Sequence, residues 1–278
     1  MIEQLAERIW PGAVESIESI GTGITNHNFK VVAGGEAFVV RIAGNDTELL
    51  GIDRRSELDA SLAAAELGIG PEVITFLEPE GSLVTRFIVG EVGRFELAEA
   101  ARLLRRFHDA RPIAGRFDSF RVVDSYARLA IERGVEPPPL YGWARELAAR
   151  IEARRGPVAP RPCHDDLLPL NFVHDGERVR IVDWEYAGMG DPAFDLANFA
   201  VNNGLDEDGD RALLAAYGGG DLEIHALMRF MSDLREAMWG LVQQAISRLE
   251  FDFAAYAAEH FERLERTAAE PRFRRALR

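Results

Sequence analysis

The chain has 278 residues, 47% of them hydrophobic, and 46 acidic against 32 basic side chains give a net charge of −14. That excess of acid argues against nucleic acid or an anionic membrane as the main partner, because both reward basic surfaces. A single cysteine, Cys163, excludes an intramolecular disulfide and fits a reducing compartment. The start, MIEQLAERIW, lacks the basic run and apolar core of a signal peptide, and no stretch reaches the ~18 apolar residues that span a bilayer. A cytoplasmic protein is expected.

In chain order, residues 14–20, 28–33 and 37–42 alternate with β-branched enrichment and read as strands, the last two joined by a tight turn at Gly34-Gly35. Residues 54–67 read as a helix that stops at Gly68, with Pro71 beyond. Short strands are expected near 73–77 and 82–87. After Gly90 the pattern turns helical, over 94–109, 121–134 and 140–154, then 207–217, 222–248 and 251–268. A strand-like interruption at 162–190 is dense in His, Asp and Asn. The expected class is α+β: a small β-rich lobe with one main helix (1–90), a hinge near 86–91, and a larger, mostly helical lobe (91–278). Two lobes meeting at a hinge leave a cleft, the usual place for a small-molecule site.

Residues 163–199, CHDDLLPLNFVHDGERVRIVDWEYAGMGDPAFDLANF, carry the densest chemistry. They read as a loop, a strand pair turning at Asp175-Gly176, and an entry into a helix near Pro192. If the hairpin brings Asp183 back beside Asn171, a carboxylate and a carboxamide converge as the hard oxygen donors that Mg²⁺ takes together with phosphate. Asp166 is then free to orient a hydroxyl and take its proton. His164 is expected to hold backbone, Asp165 and Asp175 to face solvent or form turns, and Cys163 to be a small packed residue.

His164-x-Asp166-x₄-Asn171 followed by Ile181-Val182-Asp183 resembles the catalytic loop and metal-binding segment of the aminoglycoside phosphotransferase and choline kinase group, relatives of the protein kinases. The continuation Asp183-Trp-Glu-Tyr-Ala-Gly-Met-Gly-Asp191 is similar to the choline/ethanolamine kinase branch. The resemblance implies a two-lobed protein-kinase-like fold, ATP and Mg²⁺ as cofactors, Asp166 as catalytic base, and Asn171 and Asp183 as metal ligands. It implies that Asp195 braces the catalytic loop.

For the nucleotide, Gly21, Thr22, Gly23, Thr25 and Asn26 resemble the phosphate-binding loop of choline kinases, with Thr22 in place of a glycine. Glycines let the backbone approach phosphate, and the hydroxyls add donors. Arg41 stands where protein kinases carry a lysine, and choline kinases resemble this chain in using arginine there. Glu57 on the following helix is expected to orient it, and residues 85–88 with Gly90 to face adenine.

A quaternary ammonium donates no hydrogen bonds, so aromatic faces and carboxylates hold it. The run from Glu236 and Trp239 to Tyr256 resembles the cation-binding helices of choline kinases, which adds Tyr186 to the same set. Where the better-known enzymes carry a second Trp this chain has Glu236, and where they carry an acid it has Asn202. The expected acceptor is a small amino alcohol, choline first, with ethanolamine, thiamine, an aminoglycoside or another alcohol as alternatives. A catalytically silent ligand-binding relative is the reading of another class. Nothing in the sequence fixes the oligomeric state.

Overall fold

The computed structural model describes residues 1–22, 26–44, 47–247 and 249–278. The chain opens on a helix, α1 (Ile2–Ile9), which the sequence reading did not anticipate. It buries Ile2, Leu5 and Ala6, spaced three and four apart, against the first sheet.

That sheet contains β1 (Val14–Thr22), β2 (Asn26–Ala33), β3 (Glu36–Ala43), β4 (Val73–Leu77) and β5 (Ser82–Arg86). All neighbours are antiparallel, in the order β1–β2–β3–β5–β4. Gly34-Gly35 turns β2 into β3 as expected, leaving Ala33 opposite Glu36. Helix α2 (Arg54–Glu66) is capped by Asp53, whose carboxylate accepts the Ser56 N–H at 2.7 Å, and it stops before Gly68 at φ +63°.

Beyond the sheet, β6 (Glu91–Val92) pairs with β8 (Phe172–His174), which pairs with β9 (Val179–Ile181). Gly90 is obligatory at this crossing, because a Cβ there would lie 2.3 Å from the carbonyl oxygen of His174. Strand β7 (Arg161–Cys163) pairs with β10 (Gly188–Gly190). Two antiparallel pairs thus frame the loop 164–171 and the segment 182–187.

The rest is helical: α3 (Leu97–His108), α4 (Ser119–Glu132), α5 (Leu140–Arg155), α6 (Pro192–Asn202), α7 (Glu207–Tyr217), α8 (Leu222–Ile246), α9 (Phe253–Ala269) and α10 (Pro271–Ala276). The first of these starts three residues later than expected, and α10 was not anticipated. Helix α8 is the axis of this lobe, packed by α4, α6 and α9 and buried along most of its length. Gly240 lets α9 approach it closely, since a Cβ there would meet Tyr256 at 3.0 Å and Ala257 at 3.1 Å. That approach carries Tyr256 to the face of α8 bearing Glu236 and Trp239.

Candidate active site

The loop after β7 is held from beneath by one buried carboxylate. Asp195, in the first turn of α6, accepts the backbone N–H of Asp165 at 2.7 Å and that of His164 at 3.1 Å. Its second oxygen also meets His108 Nε2 at 2.8 Å, and His108 Nδ1 meets the Tyr217 hydroxyl at 2.8 Å. Burial pushes the Asp195 carboxyl up, but these hydrogen bonds and the nearby histidines bring it below the ordinary carboxylate range. Cys163 lies beside His108 and Asp195. With both imidazole nitrogens and both carboxylate oxygens engaged, and burial raising the thiol's pKa, this cluster is a structural brace. Asn198 adds a second brace, accepting the Leu167 N–H at 2.7 Å.

His164 is buried, its Nε2 bonded to the Val182 carbonyl at 3.0 Å, and so ties the loop to the segment after β9. Asp165 corrects the expectation of a solvent-facing residue: it is fully buried at φ +65°, with its backbone N–H on Asp195. A charge at this depth is costly, and burial drives its pKa well above the ordinary value. Asp175 does form a turn, accepting the Glu177 and Arg178 N–H groups at 3.0 Å each.

Asp166 follows on the same loop. Asn171 Nδ2 donates to the Asp166 carbonyl at 2.8 Å, and the Val182 N–H donates to the Asn171 carbonyl at 2.9 Å. The hairpin therefore brings Asp183 back to Asn171. Asp183 itself sits at φ +66°, a left-handed conformation uncommon for a residue with a side chain. One carboxylate and one carboxamide, both hard oxygen donors and few in number, fit Mg²⁺. Burial raises the Asp166 pKa to about 7; Arg235 opposes this, while Glu236, Asp183 and Glu185 add to it.

On the small lobe, Arg41 of β3 is buried between two acids. One guanidinium nitrogen pairs with Glu57 of α2, and the other donates to Asp183 Oδ1 at 2.6 Å. Asn26, expected at the phosphates, is turned inward, with Nδ2 donating to Glu185 Oε2 at 2.8 Å. Arg54 joins these groups, donating to Glu57 at 2.7 Å, to Asn26 Oδ1 at 2.8 Å and to Glu185 at 3.3 Å. Sequence reasoning missed Arg54 and Glu185. Glu185 stood in plain view in the Asp183-Trp-Glu string, and Arg54 lies one helical turn before Glu57. Gly23 and Thr25 lie outside the described residues; Gly21, the last but one residue of β1, is at φ +72°, and Thr22 is described in its backbone only.

The four residues expected at the acceptor do come together. Trp239 Nε1 donates to the Tyr186 hydroxyl at 2.9 Å, and the Tyr256 hydroxyl donates to Glu236 Oε2 at 2.9 Å. The Trp239 and Tyr256 rings meet edge to face, 5.7 Å between centroids. Burial pushes Glu236 up, but Arg235, His260 and the Tyr256 hydroxyl bring it below the ordinary range. Arg235, which the sequence reading passed over, lies at the centre of the cluster. Its guanidinium stacks on Tyr186 at 4.5 Å and donates to Glu236 Oε1 at 2.5 Å and Asp166 Oδ1 at 3.3 Å. One face of Tyr186 is thus already taken by a cation. Asn202 lies outside this cluster, bonded to Asn198 at 3.3 Å.

A cavity of about 950 Å³ opens beside the cluster, lined by 48–51, Asp53, 114–122, Glu152, Arg155, 185–187 and 189–191. It reaches the acceptor residues through Tyr126, Glu185 and Tyr186.

Residues 16–234 match the APH phosphotransferase enzyme family. A choline/ethanolamine kinase family protein from Mesorhizobium loti superposes with a TM-score of 0.83 at 31% identity, covering 100% of this chain and 98% of that one. Choline kinase LicA from Streptococcus pneumoniae has the same fold, with a TM-score of 0.84 at 24% identity, covering 96% and 97%. Among curated proteins, Protein LicA of Haemophilus influenzae is 28% identical over 216 residues, 72% of this chain and 61% of that protein. A thiamine kinase from Escherichia coli is 26% identical over 205 residues, 72% of this chain and 71% of that protein. The match thus spans somewhat under two thirds of the first relative's length.

Proposed function

This chain belongs to the choline/ethanolamine kinase branch of the phosphotransferase enzyme family, and from that premise we propose that it transfers the γ-phosphoryl group of ATP to the hydroxyl of a small amino alcohol, choline first among them. The observation that carries this reading is the convergence of Asp166, Asn171 and Asp183 from one hairpin, beside Arg41 and Glu57 from the other lobe.

In this reading the acceptor oxygen attacks the γ-phosphorus as the bond to the β-phosphate oxygen breaks, and ADP leaves. Asp166 receives the hydroxyl proton. Arg41 pairs with phosphate and is held in place by Glu57, the other phosphate contacts fall to Gly21, Thr22, Gly23 and Thr25, and Asn26 is held by Glu185. Asn171 and Asp183 would hold Mg²⁺, which would neutralise charge on the phosphates. Tyr186, Trp239 and Tyr256 surround the acceptor's cation, with Glu236 as its counter-charge.

The test is ADP release from Mg-ATP with choline, ethanolamine, thiamine and kanamycin in turn. Choline-dependent turnover is expected. Turnover with another acceptor alone would keep the phosphotransfer and discard choline; ADP release with none of them would discard the reading.

A further inference from the structure

We propose that Arg235 is a positioning residue for the transfer step: it fixes the Asp166 carboxylate so that Oδ2, and not Oδ1, receives the acceptor's proton. This rests on the reading of Asp166 as the base.

Three observations carry it. Nη1 of Arg235 lies 3.3 Å from Asp166 Oδ1, so one carboxylate oxygen is already engaged. The same nitrogen is 2.5 Å from Glu236 Oε1, and the guanidinium plane is backed by the Tyr186 ring. The arginine is therefore clamped on two sides before any substrate arrives. The loop 163–171 contains no lysine or arginine of its own, so α8 brings in the charge that the loop lacks.

Arg235 is poorly explained as a purely structural element. It is 2% exposed, yet Nε and Nη2 are buried with no hydrogen-bond partner among the described residues. A structural arginine at this depth is expected to have its donors satisfied, because each unpaired one forfeits its hydration. This one is spent on the acids at the reaction centre. The planar group also matters, since a guanidinium stacked on Tyr186 aims Nη1 at Asp166 and Glu236 from a fixed direction in a way an ammonium does not. Misplacing a reacting group by about 1 Å costs on the order of 10²-fold in rate.

The experiment uses the full chain with Mg-ATP and the acceptor that gives turnover, comparing Arg235→Met, Arg235→Lys, Asp166→Asn and the Arg235→Met/Asp166→Asn double variant. Arg235→Met should lower kcat about 10–100-fold while KM for ATP stays within about twofold. Arg235→Lys, which keeps the charge but not the plane stacked on Tyr186, should recover part of that loss. The double variant should be no slower than Asp166→Asn, because the arginine acts through the aspartate. Arg235→Met/Glu236→Gln removes the orphaned acid and supplies a folded variant if Arg235→Met does not fold; the same loss of kcat is expected. Normal kcat in either, or losses that multiply in the double variant, would overturn the proposal while leaving the base reading intact. Normal turnover in Asp166→Asn would instead overturn the base reading, and the inference with it.

Discussion

Replacing Asp195 by Asn changes one atom and little volume, yet it removes the hub beneath the catalytic loop. The carboxylate is fully buried and serves two backbone N–H groups and one imidazole nitrogen. A carboxamide has one acceptor oxygen. Either the Asp165 N–H or the His164 and His108 donors must then face an NH₂ group. Orphaning one buried donor costs about 1–3 kcal/mol, and reducing the remaining bonds from charge-assisted to neutral costs roughly 1 kcal/mol each. The sum is about 3–5 kcal/mol. At about 2–4 °C per kcal/mol for a chain of this size class, the melting temperature should fall by about 6–20 °C. Because the folded pKa is depressed, this stabilisation is complete above the ordinary carboxylate range and is lost as pH falls through the folded value. The deficit of Asp195→Asn should therefore shrink in acid. Thermal melts at neutral and at acid pH measure both. A variant melting within about 2 °C of the parent at neutral pH would refute the reasoning.

Three further outcomes follow from the geometry. Trp239→Ala should raise KM for the acceptor roughly 5–30-fold, the equivalent of about 1–2 kcal/mol of cation–π contact, with KM for ATP unchanged; steady-state kinetics on both substrates checks it. Gly90→Ala should destabilise the chain by at least about 2 kcal/mol, because the new methyl meets a backbone carbonyl at 2.3 Å, and urea denaturation reads the loss. With its pKa raised to about 7, Asp166 must ionise to act as a base, so kcat/KM should climb with pH through about 7. The same raised pKa makes ionisation oppose folding, so stability contributed at Asp166 falls as pH rises from the ordinary carboxylate range towards 7, and Asp166→Asn should flatten that slope.

Local pattern carried most of the architecture. The Gly34-Gly35 turn, the strands at 73–77 and 82–86, and the α2 stop at Gly68 all lie where turn chemistry and period place them. Helix α1 escaped notice although Ile2, Leu5 and Ala6 share one face, because eight residues give little periodicity to read. The motif string brought together Asp166, Asn171 and Asp183, and the aromatic run brought together Tyr186, Trp239 and Tyr256. What the sequence hid was tertiary pairing. Arg54 meets Glu185 across 131 residues and Arg235 meets Asp166 across 69, and no local spacing distinguishes either from the chain's other arginines. Asp165 was misread for a related reason. An acidic residue in a polar loop looks exposed until the helix carrying Asp195 closes beneath it.

The central claim is that Asp166 takes the proton of an acceptor hydroxyl as the γ-phosphoryl group moves. Its most direct measurement is kcat of Asp166→Ala against the parent, with Mg-ATP and choline under saturating conditions. The account predicts a loss of roughly 10²–10⁴-fold, with ATP still bound. Turnover within a few-fold of the parent would contradict it.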